Sequence, residues 1–335
     1  MKTQMNHFSM YHQEIPAFLN DYLQIPAIRR LQDVGMNCGC EYTSFPLFRS
    51  IQRYSRYDHS IGVALIVWNF TQSRSQTIAG LLHDISTPVF AHVVDFLNGD
   101  YLNQESTEAG TKAVIEGSPE LQKLLSRDGL TTQEVCDYHL YPIADNDAPR
   151  LSADRLEYSL GNMVNFGFCT AGASKQFYDD LTVGVNEDNQ EEIMFKTQQT
   201  AEAFSAAALK CSRVYVSDED RYSMQILSEI LQTAVSHGIL TSDDLYTTEP
   251  EVIKKLRQND LTSLLWDDYC SLRQIARNNS PGTSGKWRKI DAKKRYIDPM
   301  VAGRDRLSRL SPAFSDAMES FLHADFDYWI CGNCH

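Results

Sequence analysis

Two stretches of the chain are apolar on nearly every side: Ser60 to Phe70 and Thr77 to His83. Helices hydrophobic all round belong in the middle of a bundle, so these two are expected at the centre of the fold. Amphipathic pieces surround them. Pro26 suits a first helical turn and Gly35 a C-terminal cap, and between them Ile28, Leu31 and Val34 form one stripe. Pro88 is expected to open a helix with Val89, Phe90, Val93, Phe96 and Leu97 as its core face and Asn98-Gly99-Asp100 as its end. Thr107 to Glu116 and Pro119 to Ser126 read as modest helices, and Thr131 or Thr132 caps a third. The loop from Tyr141 to Pro149 leads to Ser152, the N-cap of a helix in which Leu156, Leu160 and Met163 face inward.

The acidic stretch Asn186 to Glu192 reads as a solvated turn between strands or helices. Two long helices follow, with Phe204, Ala208 and Cys211 lining the first, Leu227, Ile230, Leu231 and Ala234 lining the second, and Gly238 ending it. The only β structure expected is a small hairpin through Tyr42, Thr43, Phe45 and Phe48. The pattern predicts an all-α protein: a helical domain over 1–185 and a helical C-terminal region, 186–335, packed on it.

Composition narrows the function. A net charge of -13 argues against nucleic acid and anionic membranes as partners, because either needs a basic face. No apolar run reaches the roughly 18 residues of a spanning helix, and the N-terminus lacks the pattern of a secretion signal, so a cytoplasmic location is expected. The eight cysteines are expected as thiols, and Cys331-Gly-Asn-Cys334-His335 without a metal role. Lys286 to Tyr296 is the one concentrated basic run; it either folds back onto substrate phosphates or is a solvated surface segment, and charge runs favour the second.

Candidate chemistry sits at the ends of the apolar helices. His59 precedes the first and an adjacent His83-Asp84 pair closes the second. Imidazole and carboxylate donors brought to one point suit one divalent ion such as Zn, Mn, Fe, Ni or Mg. Asp154, Tyr158 and Asn162 recur along one face of their helix, as a carboxylate, a phenol and an amide would in the wall of a site.

These residues resemble the HD superfamily of metal-dependent phosphohydrolases, and within it the deoxynucleoside triphosphohydrolase branch. Arg56 stands three residues before the His59-Ser-Ile-Gly-Val63 run, Ile25 to Gly35 and Phe45-Pro46 precede it, and Asp154, Arg155, Glu157 and Tyr158 follow the distal pattern. The resemblance covers about the first half of the chain. It implies an HD-domain bundle with His59, His83, Asp84 and Asp154 as metal ligands, Arg56 on substrate phosphates and Tyr158 at a sugar or base. The chain departs from the branch at Thr87, where a His is expected, at Gln104-Glu105 in place of His-Glu, and at Ser152 and Asn162 in place of acids.

The expected activity is therefore metal-dependent hydrolysis of a nucleotide or other small phosphate ester, with weak turnover of deoxynucleoside triphosphates. Asp95, His92 and Glu105 are the candidate proton-transfer groups; Arg56, Thr87, Tyr158 and Asn162 are the candidate substrate contacts. The alternative is a catalytically silent HD-domain protein that binds a nucleotide and regulates a partner. A di-iron oxygenase ranks below both, because His92 follows the doublet too closely and His139 alone does not complete its ligand set. A homo-oligomer is compatible with the sequence.

Overall fold

The computed structural model describes residues 8–94 and 110–333, and helices dominate it. At its centre lies the His59 helix, Arg56–Thr71. Ser55 and Asp58 form a capping box at its start, with the Ser55 hydroxyl accepting from the Asp58 N–H and the Asp58 carboxylate accepting from the Ser55 N–H. Every residue from Asp58 to Val67 is buried, as an all-apolar central helix requires. The helix Arg74–Leu82 crosses it, and Gly80 permits the close approach: a Cβ there would stand 3.2 Å from Val63.

The third central piece is the Asp154 helix, Ala153–Asn165, which packs on the His59 helix. Ser152 caps it by accepting from the Arg155 N–H, and Leu156, Leu160 and Met163 are fully buried. Thr131 caps Thr132–Val135 with its own capping box. The long helices Gln198–Tyr215 and Asp218–Ser236 follow, the second ending before Gly238 in the left-handed region. One apolar cluster surrounds the His59 helix, and another surrounds Asp218–Ser236 and Trp266. Both draw on residues from either side of residue 185.

The β structure lies elsewhere than expected. Among the described residues it consists of two antiparallel pairs, β1 (Leu181–Val185) with β2 (Glu191–Phe195) and β3 (Ile275–Asn278) with β4 (Trp329–Gly332). In the first, Val183 stands opposite Ile193. The Tyr42–Phe48 segment instead forms a 3₁₀ turn at Cys40–Tyr42 and a helical turn at Pro46–Arg49. Pro46 decides this, because it cannot donate to a ladder while its fixed φ suits the first helical position.

The acidic turn is corrected in part. Glu192 is fully buried rather than solvated, and accepts from both terminal nitrogens of Arg306 at 2.5 and 2.6 Å and from Asn186 at 2.9 Å.

Pro88 does not open a helix directly. Phe90 and Ala91 take positive φ, and helix begins only at Val93. The Val89 N–H is held instead by the Leu245 carbonyl at 2.7 Å, and Val89, Phe90 and Val93 are still fully buried. Tertiary burial therefore outweighs local preference at this corner. Phe96, Leu97 and the Asn98-Gly99-Asp100 stop lie outside the described residues, as does Thr107. Cys331 is disulfide-bonded, against the expectation of thiols throughout, whereas Cys38, Cys40, Cys136, Cys169, Cys211 and Cys270 are free. Cys334 and His335 lie outside the described residues. Among those described, no helix is long and apolar enough to cross a membrane.

Candidate metal centre

The crossing of the three central helices brings His59, His83, Asp84 and Asp154 together although they span almost a hundred residues of chain. His59 Nε2 lies 3.2 Å from His83 Nε2 and 2.9 Å from Asp154 Oδ1, and His83 Nε2 lies 3.7 Å from the same carboxylate oxygen. Asp84 Oδ2 is 3.4 Å from His83 Nε2 and 3.9 Å from His59 Nε2. All but Asp154 are buried, and Asp154 is partly open to a cavity of about 650 Å³ that all four line.

The opposite edges of both imidazoles fix what these atoms are. His83 Nδ1 is 2.7 Å from the Gly80 carbonyl, which only accepts, so Nδ1 carries the hydrogen. His59 Nδ1 is 2.5 Å from Glu157 Oε2, and the Glu157 carboxylate also accepts from the Tyr54 and Tyr11 hydroxyls. In their neutral forms the two rings therefore aim lone pairs at each other and at two carboxylates. A buried gathering of lone pairs with no hydrogen between them is costly unless a cation fills it. Donors held about 2.0–2.2 Å from one ion stand roughly 3.0–3.6 Å apart, close to the separations here. The donor set thus fits a divalent metal, and Glu157 and the Gly80 carbonyl are the outer groups that orient such ligands.

Electrostatics agrees with the geometry. Burial works against charge on Asp84, but Arg56 and both imidazoles hold its carboxyl far below the usual range. Asp154 is likewise disfavoured by burial yet lowered to about 2 by its hydrogen bond with His59 and by the nearby imidazoles. For His59, burial opposes protonation and the bonds to Asp154 and Glu157 overcome it, raising the group to about 10. A proton on His59 is then what a metal has to displace.

The remaining predicted residues are distributed as follows. Arg56 lines the cavity and its Nη1 bonds both Asp84 oxygens, at 3.0 and 3.2 Å, while its buried Nε has no protein partner. Tyr158, Asn162 and His92 also line the cavity. Thr87 is not among the residues that line it; its buried hydroxyl donates to Asp84 Oδ1 at 2.7 Å and so orients that carboxylate. Asp95 and Glu105 lie outside the described residues.

Several residues of the site were given no role from sequence. Glu157, which lies beneath His59, was read only as part of the distal pattern that follows Asp154. Tyr138, whose ring lies 4.8 Å from that of His83, and Tyr215, which accepts from Asn162 Nδ2 at 2.8 Å, carried no signal. Asp220 also lines the cavity, its carboxyl raised to about 7 by burial against the opposing pull of Cys40 and Arg295. The basic run is not a loose surface segment: residues 291–296 form part of the cavity wall.

The chain matches no family model. It is 28% identical over 252 residues to the uncharacterized protein YdhJ of Bacillus subtilis, covering 74% of each chain. It is 29% identical over 160 residues to the metal-dependent phosphohydrolase cns2 of Cordyceps militaris, a match that covers 47% of this chain and 44% of that protein. The crystal structure of a phosphohydrolase from Bacteroides thetaiotaomicron superposes over 96% of this chain and 97% of its own, with a TM-score of 0.63 at 14% identity. The donor constellation thus stands in a chain that is similar in sequence to a metal-dependent phosphohydrolase over about half its length and shares the fold of a solved phosphohydrolase over nearly all of it.

Proposed function

We propose that this chain hydrolyses a nucleotide or another small phosphate ester, using one divalent ion held by His59, His83, Asp84 and Asp154. The observation that carries the reading is the pair of imidazole Nε2 atoms 3.2 Å apart, with a carboxylate on either side and each Nδ1 already committed. When bound there, a divalent ion supplies a Lewis acid that draws charge from a phosphate and makes water nucleophilic near neutral pH.

The residues around it do the rest. Arg56 holds Asp84 with one nitrogen and offers its unpartnered Nε to a phosphate oxygen. Asn162 donates to Tyr215 and keeps a buried, unpartnered Oδ1 that can accept from a substrate hydroxyl or amine. The Tyr158 ring lies 6.5 Å from that of His59 and 6.3 Å from that of Tyr215, so a sugar or base would lie along it. A cavity of about 650 Å³ suits a ligand of nucleotide size. Water is taken to lose its proton to His92, Asp95 or Glu105, the first of which lies on the cavity wall. Thr87 is spent on Asp84 and its hydroxyl does not shuttle protons near neutral pH, so deoxynucleoside triphosphates are turned over poorly.

The test is phosphate release from a panel of nucleotides and simple phosphate monoesters by the metal-loaded protein, with and without a chelator. Release that stops on chelation and returns with metal supports the reading. A loaded protein that binds nucleotides without hydrolysing any member of the panel would favour the silent, regulatory alternative, to which the spent Thr87 also points.

A further inference from the structure

One carboxylate of the cavity wall stands without a cation, and what it implies deepens the proposed function and rests on it. Asp84 pairs with Arg56 at 3.0 Å, Asp154 with His59 at 2.9 Å and Asp145 with Arg155 at 3.1 Å, while Asp291 is exposed. Asp220 lines the same cavity and is partly buried, yet no basic group among the described residues comes within ion-pair distance of it. Its neighbour Asp218 shows the contrast, taking Arg221 at 2.7 Å, Arg277, and the Tyr328 hydroxyl at 2.9 Å.

Nor is Asp220 used as its place in the chain would lead one to expect. It is the third residue of the Asp218–Ser236 helix, whose N-cap is Ser217. A carboxylate there commonly turns back to accept from the N-cap N–H. Here the Ser217 N–H goes to the Val214 carbonyl at 2.9 Å, and only the forward bond forms, from the Asp220 N–H to the Ser217 hydroxyl at 3.2 Å. The carboxylate is left with the Cys40 thiol, 3.7 Å from Oδ1, and Oδ2 accepts from none of the described residues. A thiol is a weak donor, and a carboxylate taken from water without a strong partner is costly. Burial accordingly raises this carboxyl to about 7.

A second acceptor in the wall is open in the same way. Asn162 is only 4% exposed and spends Nδ2 on the Tyr215 hydroxyl at 2.8 Å, which leaves Oδ1 without a protein partner. An ionised phosphate has no hydrogen to offer either group, so their donors must come from the rest of the ligand. An amino group brings two or three hydrogens and, when protonated, the missing cation; a hydroxyl brings one hydrogen and no charge.

We infer that Asp220 is a specificity-determining residue that accepts from an amino group in the non-phosphate part of the substrate, so that the preferred phosphate ester is an amino-bearing one.

The test is calorimetric titration of the metal-loaded full chain, above pH 7 where Asp220 is mostly ionised, with phosphonates that are not hydrolysed and that differ by one amino group. The pairs are the phosphonate analogues of adenosine and purine-riboside monophosphates, those of guanosine and inosine monophosphates, and aminohexyl- against hexylphosphonate. In the native protein the amino member of at least one pair should bind about 10- to 100-fold more tightly, the range for a charge-assisted hydrogen bond. Asp220→Ala should bring that ratio close to one. Asp220→Asn keeps an acceptor and loses the charge, and should leave an intermediate ratio. A native ratio near one for every pair overturns the inference. So does a ratio that survives Asp220→Ala, including one preserved because both members weaken equally, which is the mark of a residue that only shapes the wall. Native protein that binds no member of any pair contradicts the phosphohydrolase reading itself, a result distinct from lost discrimination.

Discussion

At the scale of single residues, the site depends on groups that never touch substrate. Glu157 is fully buried, holds the His59 Nδ1–H and collects two tyrosine hydroxyls, so its charge sets both the tautomer and the aim of the first ligand. Glu157→Gln keeps the shape and loses the charge. It should weaken metal binding by about 10- to 100-fold with near-normal helical content, as chelator competition and circular dichroism would measure. A metal affinity equal to the native one would remove Glu157 from the account. Asp220 gives a pH prediction. Burial raises its carboxyl from 3.8 to about 7, so the folded chain binds a proton that the unfolded chain releases. Its contribution to stability is complete below pH 4 and is lost as pH rises through 7. Asp220→Asn should flatten that part of the native stability-against-pH curve, measured by denaturant unfolding; an unaltered slope would count against it. The meeting of His59 with His83 and Asp84 was legible in the sequence because these residues bracket apolar helices, which is a local pattern. Tyr138 and Tyr215 were not, because only the packing of distant segments makes them neighbours of the site.

At the scale of elements, the His59 helix is specified by its sequence from cap to interior, and its expected central place follows from the absence of a polar face. What the pattern did not reveal is why Gly62 sits within it. A Cβ at Gly62 would lie 2.5 Å from Glu157, so the missing side chain is the space into which the carboxylate enters beneath His59. Gly62→Ala gains local helix propensity of roughly 1 kcal/mol and should nevertheless lower both stability and metal affinity, since Glu157 must move. A more stable variant with native metal binding would show that the close approach is unimportant. The misplaced hairpin teaches a related point. Aromatic and β-branched residues near Phe45 suggested strands, but Pro46 and the Thr43 hydroxyl, which donates to the Cys40 carbonyl at 2.7 Å, turn the chain locally. The actual hairpin hid behind an acidic stretch, because the partner that makes Glu192 tolerable in the core is Arg306, far along the chain.

At the scale of the whole molecule, the second half of the chain completes what the first half begins. The Asp218–Ser236 helix and residues 291–296 line the same cavity as His59, His83, Asp84 and Asp154, and Arg306 ties the C-terminal segment to β2. Removing one partner of that buried pair, as in Glu192→Ala, should cost about 1–3 kcal/mol in a denaturant titration, because the guanidinium loses two charge-assisted bonds in the core and keeps those to Glu187. A loss below about 1 kcal/mol would show that water reaches Arg306 and that the tie is loose. The proposed chemistry turns on His59, His83, Asp84 and Asp154 holding one divalent ion. Elemental analysis of the purified native protein and of Asp154→Ala, prepared side by side, tests it most directly. The native chain should carry close to one equivalent of a divalent metal and the variant little, with helical content retained. Equal metal content in the two proteins, or a native chain that takes up no divalent ion, would contradict it.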